Sequence, residues 1–182
     1  MSKIQWTEKT WNPLVGCSRV SEGCRHCYAE RTAFRLAACG RPQYKGLTKK
    51  TKNGEIHWTG KVRLLESALD KPLHWKKPSR IFVNSMSDLF HEKAEDSWIE
   101  HIFSVMAEAP QHTFQVLTKR PERMLEWIRR ARPVPLPNVW LGVSVENQEM
   151  AEERLPLLIQ TPAAVRWVSY EPAPGARACQ FL

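Results

Sequence analysis

The chain has no apolar run approaching the ~18 residues of a membrane span, and no positively charged N-terminus leading into an apolar stretch. Neither a membrane helix nor a signal peptide is therefore expected, and a cytoplasmic location with no membrane contact follows. No low-complexity tract and no internal repeat is present beyond the alternation described below. The sequence also cannot pair all its thiols. It holds 5 cysteines, an odd number, and cytoplasmic thiols are kept reduced, which argues against a disulfide framework. Nor does it contain the paired CxxC knuckles of a zinc ribbon or the closely spaced run of a ferredoxin.

What it does contain is "GCSRVSEGCRHCYAER", residues 16 to 31, with Cys17, Cys24 and Cys27 in a C-x6-C-x2-C spacing and Tyr28 directly after the third. Three thiols this close point to metal. A structural zinc site takes about four ligands, so His26 or the distant Cys39 would have to complete it. An iron–sulfur cluster can instead use thiolates on three irons and leave the fourth open. Spacing alone leaves both readings standing.

At 182 residues and 42% hydrophobic, the chain suits one domain with a real core. A formal net charge of +8 favours an acidic partner, nucleic acid among them. Short β-branched or aromatic runs ending in polar residues alternate with segments of helical period. The runs are "IFVNSMSD" from Ile81, "TFQVLTKR" from Thr113, "VWLGVSVEN" from Val139 and "VRWVSYEP" from Val165. Between them lie "EDSWIEHIFSVMAEA", "PERMLEWIRRA" and "QEMAEERLPLLIQ". Strand and helix in alternation predict an α/β fold with parallel strands joined by crossovers. Upstream, "TWNPLVG" fits a first strand, "CYAERTAFRLAAC" a helix, and the basic stretch at about 40–62 a loop with a hairpin turning at Asn53-Gly54. Pro72 and Pro78 predict an irregular approach to the second strand.

In a βα-barrel, chemistry gathers where the strands end, because the following loops converge on one mouth. The strand ends here carry Asn84, Ser85, Ser87 and Asp88, then Thr118, Lys119 and Arg120, then Ser144, Glu146 and Asn147, then Ser169, Tyr170 and Glu171. The three cysteines also follow a strand. Any single one of these polar residues could be a helix cap or a solvated turn; five polar loops at one end are harder to dismiss.

The segments "TWNPLVGCSRVSEGCRHCYAER", "IFVNSMSDLFH", "LTKRPERM", "WLGVSVENQ" and "SYEP", in that order over residues 4 to 172, resemble a phage-associated three-cysteine-motif family of radical-SAM-like proteins, a domain of unknown function. The resemblance implies a partial (β/α) barrel of radical SAM type over residues 1–172, with the basic segment as an insertion. It implies a [4Fe-4S] cluster on Cys17, Cys24 and Cys27, with the remaining iron open to S-adenosylmethionine and a deoxyadenosyl radical as the product of its reductive cleavage. Ser85 and Asp88 would hold the methionine end, Ser144, Glu146 and Asn147 the ribose, and Tyr28 would flank the cofactor. Lys119 and Arg120 are candidates to grip an anionic, nucleic-acid-related substrate. An electron donor such as a flavodoxin or ferredoxin is the implied partner.

The alternative from another class is a non-catalytic, zinc-bound module that binds nucleic acid through its basic surface. His26 reads as a solvent-facing loop residue, Cys39 as a small apolar residue packed near a helix end, and Trp140 and Trp167 as core or barrel wall. Arg41, Lys45, Lys49, Lys50 and Lys52 form either a solvated loop or a phosphate-contacting arm. Compared with that family, Glu171-Pro172 runs almost directly into "APGARACQFL". Residues 173–182 therefore read as an atypical truncated tail, and the last strand of the barrel is expected to be missing.

Overall fold

The computed structural model describes residues 6–170. The expectations placed on the tail at 173–182 and on a missing last strand lie outside those residues. Among the described residues no helix is long and apolar enough to cross a membrane.

Elements follow in the order β1 (Lys9–Trp11), β2 (Leu14–Val15), α1 (Tyr28–Ala38), β3 (Thr48–Lys50), β4 (Ile56–Trp58), β5 (Arg63–Leu64) and α2 (Glu66–Leu69). Then come β6 (Arg80–Val83), α3 (Asp96–Glu108), β7 (Thr113–Thr118), α4 (Pro121–Ala131), β8 (Val139–Val145), α5 (Gln148–Gln160) and β9 (Val165–Tyr170). Five strands form one parallel sheet in the order β1-β6-β7-β8-β9. The fold is mixed α/β, as the alternation of runs predicts. Pro121 opens α4, where its missing N–H and fixed φ suit the first turn.

One face of the sheet carries the core. Ile81, Val83, Phe114, Val116, Leu141, Val143 and Val145 alternate onto it and meet Ile99, Ile102, Phe103 and Met106 of α3, Met124, Trp127 and Ile128 of α4, and Leu158 of α5. Each such side chain contributes roughly 1.5–3 kcal/mol on burial, which is what holds these helices against the sheet. The opposite face follows from the register: Phe82 lies beside Gln115, Gln115 beside Trp140, and Gly142 beside Trp167. Trp6 covers part of it, with ring centroids 4.8 Å from Phe82 and 5.0 Å from Trp167.

The segment "TWNPLVG" departs from the single strand expected of it. β1 stops at Trp11, because Pro13 has no N–H to donate to a ladder. The chain then leaves the main sheet, and β2 pairs antiparallel with β5 instead. Asn84 absorbs the break. Its amide donates to the Trp11 carbonyl at 2.7 Å and its Oδ1 accepts from the Leu14 amide at 3.1 Å. It does so with φ at +61°, a left-handed conformation that Asn tolerates better than most residues. Gly16 returns beside β6 through its amide to the Met86 carbonyl at 3.0 Å and a bridge to Ser87. The stretch before β6 is also more regular than its prolines suggest, since Glu66–Leu69 is helical and Lys71–His74 forms a 3-10 turn that uses Pro72 in its first turn. The β3–β4 hairpin forms with Gly54 at φ +83° in its turn.

Gly16 lies at φ +95°, and a Cβ there would overlap the Lys61 carbonyl, whereas Gly40 at φ +77° has nothing within 4 Å. Both conformations disfavour other residues, but only Gly16 adds a backbone collision. Gly40→Ala is therefore expected to cost about 1 kcal/mol and Gly16→Ala about 3 kcal/mol or more. Urea unfolding midpoints check the order; equal losses would show that the Gly16 contact relaxes freely.

Candidate functional site

The cysteine loop, residues 16–27, arches over the C-terminal ends of the parallel strands. Cys17 follows the Gly16 bridge, Cys24 ends a 3-10 turn over Glu22–Cys24, and Cys27 sits at the N-cap of α1. All three are free and half-buried. The Cys17 thiol is pushed up to about 12, first by burial and then by Asp88, with Cys24 and Cys27 adding to the rise and Arg120 opposing it. Burial also raises Cys27, against the Ala29 and Glu30 amides at the start of α1, which favour its thiolate. A thiol held this high keeps its proton at neutral pH, so a metal bound here would have to displace protons. Among the described residues no three His, Cys, Asp or Glu side chains close on a single point as one metal ion requires.

The choice of a fourth ligand narrows. Cys39 caps the far end of α1 and is exposed rather than packed. At 1.5 Å per residue it stands roughly 18 Å from Cys27 along the helix, beyond the reach of a shared ion. His26 is exposed in the loop, as its sequence position suggests.

Two ionic hubs clamp the loop to the strand ends. Asp88, after β6, accepts from Thr118 Oγ1 at 2.7 Å, the Phe90 amide at 2.9 Å, the Lys119 amide at 3.1 Å and Arg120 Nη1 at 3.0 Å. Those four bonds fill a carboxylate's acceptor capacity. Arg120 also donates from Nε to Glu92 Oε2 at 3.0 Å and from Nη2 to Ser18 Oγ at 2.8 Å and the Ser18 carbonyl at 3.2 Å. Its Nη1 lies 3.9 Å from the Cys17 sulfur. In the second hub, Glu146 after β8 pairs with Lys119 Nζ and Arg154 Nη1, each at 2.9 Å, and accepts from Ser21 Oγ. Burial works against its charge, but the Ser21 hydroxyl, Lys119 and Arg154 hold its carboxyl below the usual range. Gly23 packs on this carboxylate so closely that a Cβ would lie 2.9 Å from Glu146 Cδ. A third pair ties the loop to the hairpin: Arg19 grips buried Glu30 at 2.9 and 2.6 Å, and Glu30 accepts from the Trp58 amide at 3.0 Å.

The sequence-derived residues thus gather at one end of the sheet with unequal roles. Cys17, Cys24 and Cys27 share the loop. Asp88, Glu146, Lys119 and Arg120 are bound to one another and to the loop. Asn147 caps α5 through the Met150 amide at 2.8 Å. Ser85 donates to Asn12 Oδ1 at 3.1 Å, its carbonyl accepts from the Tyr28 hydroxyl at 2.9 Å, and the Tyr28 ring is 55% exposed. The Ser144 carbonyl accepts from Arg154 at 2.7 Å. Sequence reasoning missed Ser18, Ser21, Glu92, His91 and Arg154. Serines and charges within helical or loop context carry no pattern that marks them, although "DLFHE", in the loop between β6 and α3, offered three titratable groups in five positions.

The model of a family described as "Protein of unknown function (DUF5131)" matches residues 1–177, nearly the whole chain, and the chain belongs to that family. No curated protein and no solved structure matches it.

His91 is fully buried, with Nδ1 accepting from the Lys93 amide at 3.1 Å and Nε2 facing Ser18 Oγ at 3.0 Å. Burial, reinforced by the Arg120 charge and opposed by Glu92 and Asp88, lowers its pKa from 6.5 to about 4. As pH falls through 6.5 the unfolded chain takes up this proton and the folded chain does not, so stability is complete above 6.5 and declines toward 4. The loss is about 3 kcal/mol for a shift of this size. His91→Gln should flatten that slope in urea titrations from pH 7 to 4; an unchanged slope would assign the pH dependence to other groups.

Proposed function

We propose that the protein is a radical-SAM-like member of the phage-associated three-cysteine type, its sheet serving as a partial barrel whose mouth holds a [4Fe-4S] cluster and S-adenosylmethionine. The observation carrying this reading is the set of three free, half-buried thiols in one loop at the C-terminal end of a five-stranded parallel sheet. The donor set fits the cluster. Its thiolates each serve a different iron and need not converge on one point, and a set of three leaves one iron for a ligand. When bound, the cluster would supply the electron that cleaves S-adenosylmethionine to a deoxyadenosyl radical.

The chain's own residues have three tasks in this reading. Cys17, Cys24 and Cys27 hold the irons, and the Arg120 guanidinium beside Cys17 offsets the negative charge that three thiolates would bring together. Asp88, Glu146, Lys119 and Arg120 position the loop rather than touch a ligand, since their hydrogen-bonding groups already face one another. Contact with S-adenosylmethionine then rests on Ser85, Ser144, Asn147 and the exposed Tyr28. A flavodoxin- or ferredoxin-like donor would reduce the cluster. The substrate is nucleic-acid-related, its phosphates meeting the β3–β4 hairpin and the turn before it, where Arg41, Lys45, Lys49, Lys50 and Lys52 are all exposed.

Anaerobic reconstitution of the full chain with iron and sulfide tests the reading. A brown protein holding about four irons per chain is expected, with each of Cys17→Ala, Cys24→Ala and Cys27→Ala losing them and Cys39→Ala keeping them. Deoxyadenosine should form when a reductant and S-adenosylmethionine are added. Retention of zinc with no iron uptake, or a Cys39 variant as depleted as the others, would overturn the assignment.

Binding to single-stranded and duplex DNA should weaken steeply with salt. Replacing Lys49 and Lys50 by Gln should reduce the slope of log affinity against log salt by about 1.5–2. Affinity indifferent to both salt and substitution would leave the hairpin as a solvated turn.

A further inference from the structure

The face of the sheet opposite α3, α4 and α5 contains a cleft of 320 Å³, lined by Trp6, Gln115, Trp140, Trp167, Ser169 and Tyr170 among others. Among the described residues, two polar groups of its lining lack partners. Gln115 is only 4% exposed, and its Oε1 is buried without a hydrogen bond; the indole Nε1 of Trp167 is likewise buried and unbonded. Which end of the Gln115 amide is oxygen is a matter of assignment, but either orientation leaves a polar atom of this cleft-lining residue buried and unbonded. Such groups are costly to a folded chain, and a site that keeps them commonly does so for a ligand that completes them. The sequence is arranged to hold the indole there. Gly142 is the register partner of Trp167, and a Cβ at that position would come within 2.6 Å of Trp167 Nε1. Only a residue without a side chain lets the ring lie against β8.

We infer that this cleft binds one planar nucleobase-type heterocycle, stacked among Trp6, Trp140 and Trp167 and read along its edge by the Gln115 amide and the Trp167 N–H. Aromatic faces offer stacking to any base, and an amide beside an indole N–H offers the acceptor and donor that a base edge complements. Among the described residues the cleft wall carries no charged side chain, which suits a neutral ring better than a phosphate. The volume sits at the low end of the ~300–1,000 Å³ range of small-molecule sites. It admits a nucleoside but not a stacked strand, so a base belonging to nucleic acid would enter by leaving its stack. The cleft also reaches the mouth. Tyr170 is the register partner of Val145, and the next residue, Glu146, holds Ser21 of the cysteine loop. This inference rests on the function proposed above for what becomes of the base, and stands apart from it for the binding.

Calorimetric titration of the full chain, without iron, by adenosine, guanosine, cytidine and thymidine is the test, with ribose 5-phosphate as the control lacking a base. Saturable heat from at least one nucleoside and none from ribose 5-phosphate is expected. Gln115→Leu should weaken that binding about tenfold while raising the melting temperature, because it removes a buried group that is unpaired without ligand. Trp167→Phe should weaken it comparably. A folded chain that binds no nucleoside, or affinity unaffected by both substitutions, would overturn the inference. Loss of iron binding alone would sink only the cluster.

Discussion

The geometry of the polar end of this protein depends on the ion pair between Arg120 and Asp88. Both are nearly buried, and the guanidinium joins three segments that are far apart in sequence: the strand ends of β6 and β7 and the cysteine loop at Ser18. Removing one partner of such a pair typically costs about 3–5 kcal/mol, because the other charge is left uncompensated away from water. The arrangement limits that cost from the start. Asp88 has all four acceptor positions occupied, and Arg120 donates to Glu92 and Ser18 as well. Burial pushes against the charge of Glu92 too, yet its own amide, Ser18, His91 and Arg120 hold its carboxyl down at about 2. The loop is therefore fixed by charge and hydrogen bonding, with apolar contact limited to the side where Val15, Leu47 and Met86 pack beneath Cys17 and Cys27.

The two faces of the sheet differ in composition. The helical face is filled mostly with aliphatic and aromatic side chains, with Lys9, Thr118 and Arg166 the polar residues that share it. The other face alternates Phe82, Gln115, Trp140, Gly142, Ser144, Trp167 and Ser169 along the same strands, a mixture that a core would not choose. A strand buried on both sides usually reads as continuously apolar. The glutamine and glycine interrupting "TFQVLT" and "VWLGVSV" are thus departures from what stability alone would select.

Much of this was legible in the sequence because the signals were local. The apolar runs beginning at Ile81, Thr113, Val139 and Val165 each became a parallel strand, and Pro121 marked the start of α4 as its chemistry requires. The split of the first strand was less visible, since it needs the knowledge that Asn84, some 70 residues on, supplies what Pro13 cannot. The site was legible in its thiols and in which polar residues end up together. The roles within it were not. Asp88 and Glu146 look alike as strand-end carboxylates, whether they face a ligand or an arginine, and Arg154 lies mid-helix with nothing to announce that it reaches back to Glu146. Cys39, expected to pack, is exposed because α1 ends before its side chain can turn inward.

The order in which these parts become available during synthesis differs from their order in space. The three thiols lie within eleven positions and exist as a set once residue 27 has emerged. The residues that shelter them arrive much later: Arg120 is 102 positions beyond Ser18, and Glu146 is 125 beyond Ser21. A nascent chain therefore carries a concentrated, unprotected group of sulfurs for most of its translation. Neighbouring thiols in that state are open to oxidation and to capture of whatever soft metal is at hand. For this protein, the reducing power and metal content of its surroundings act on the chain before its fold can choose among them.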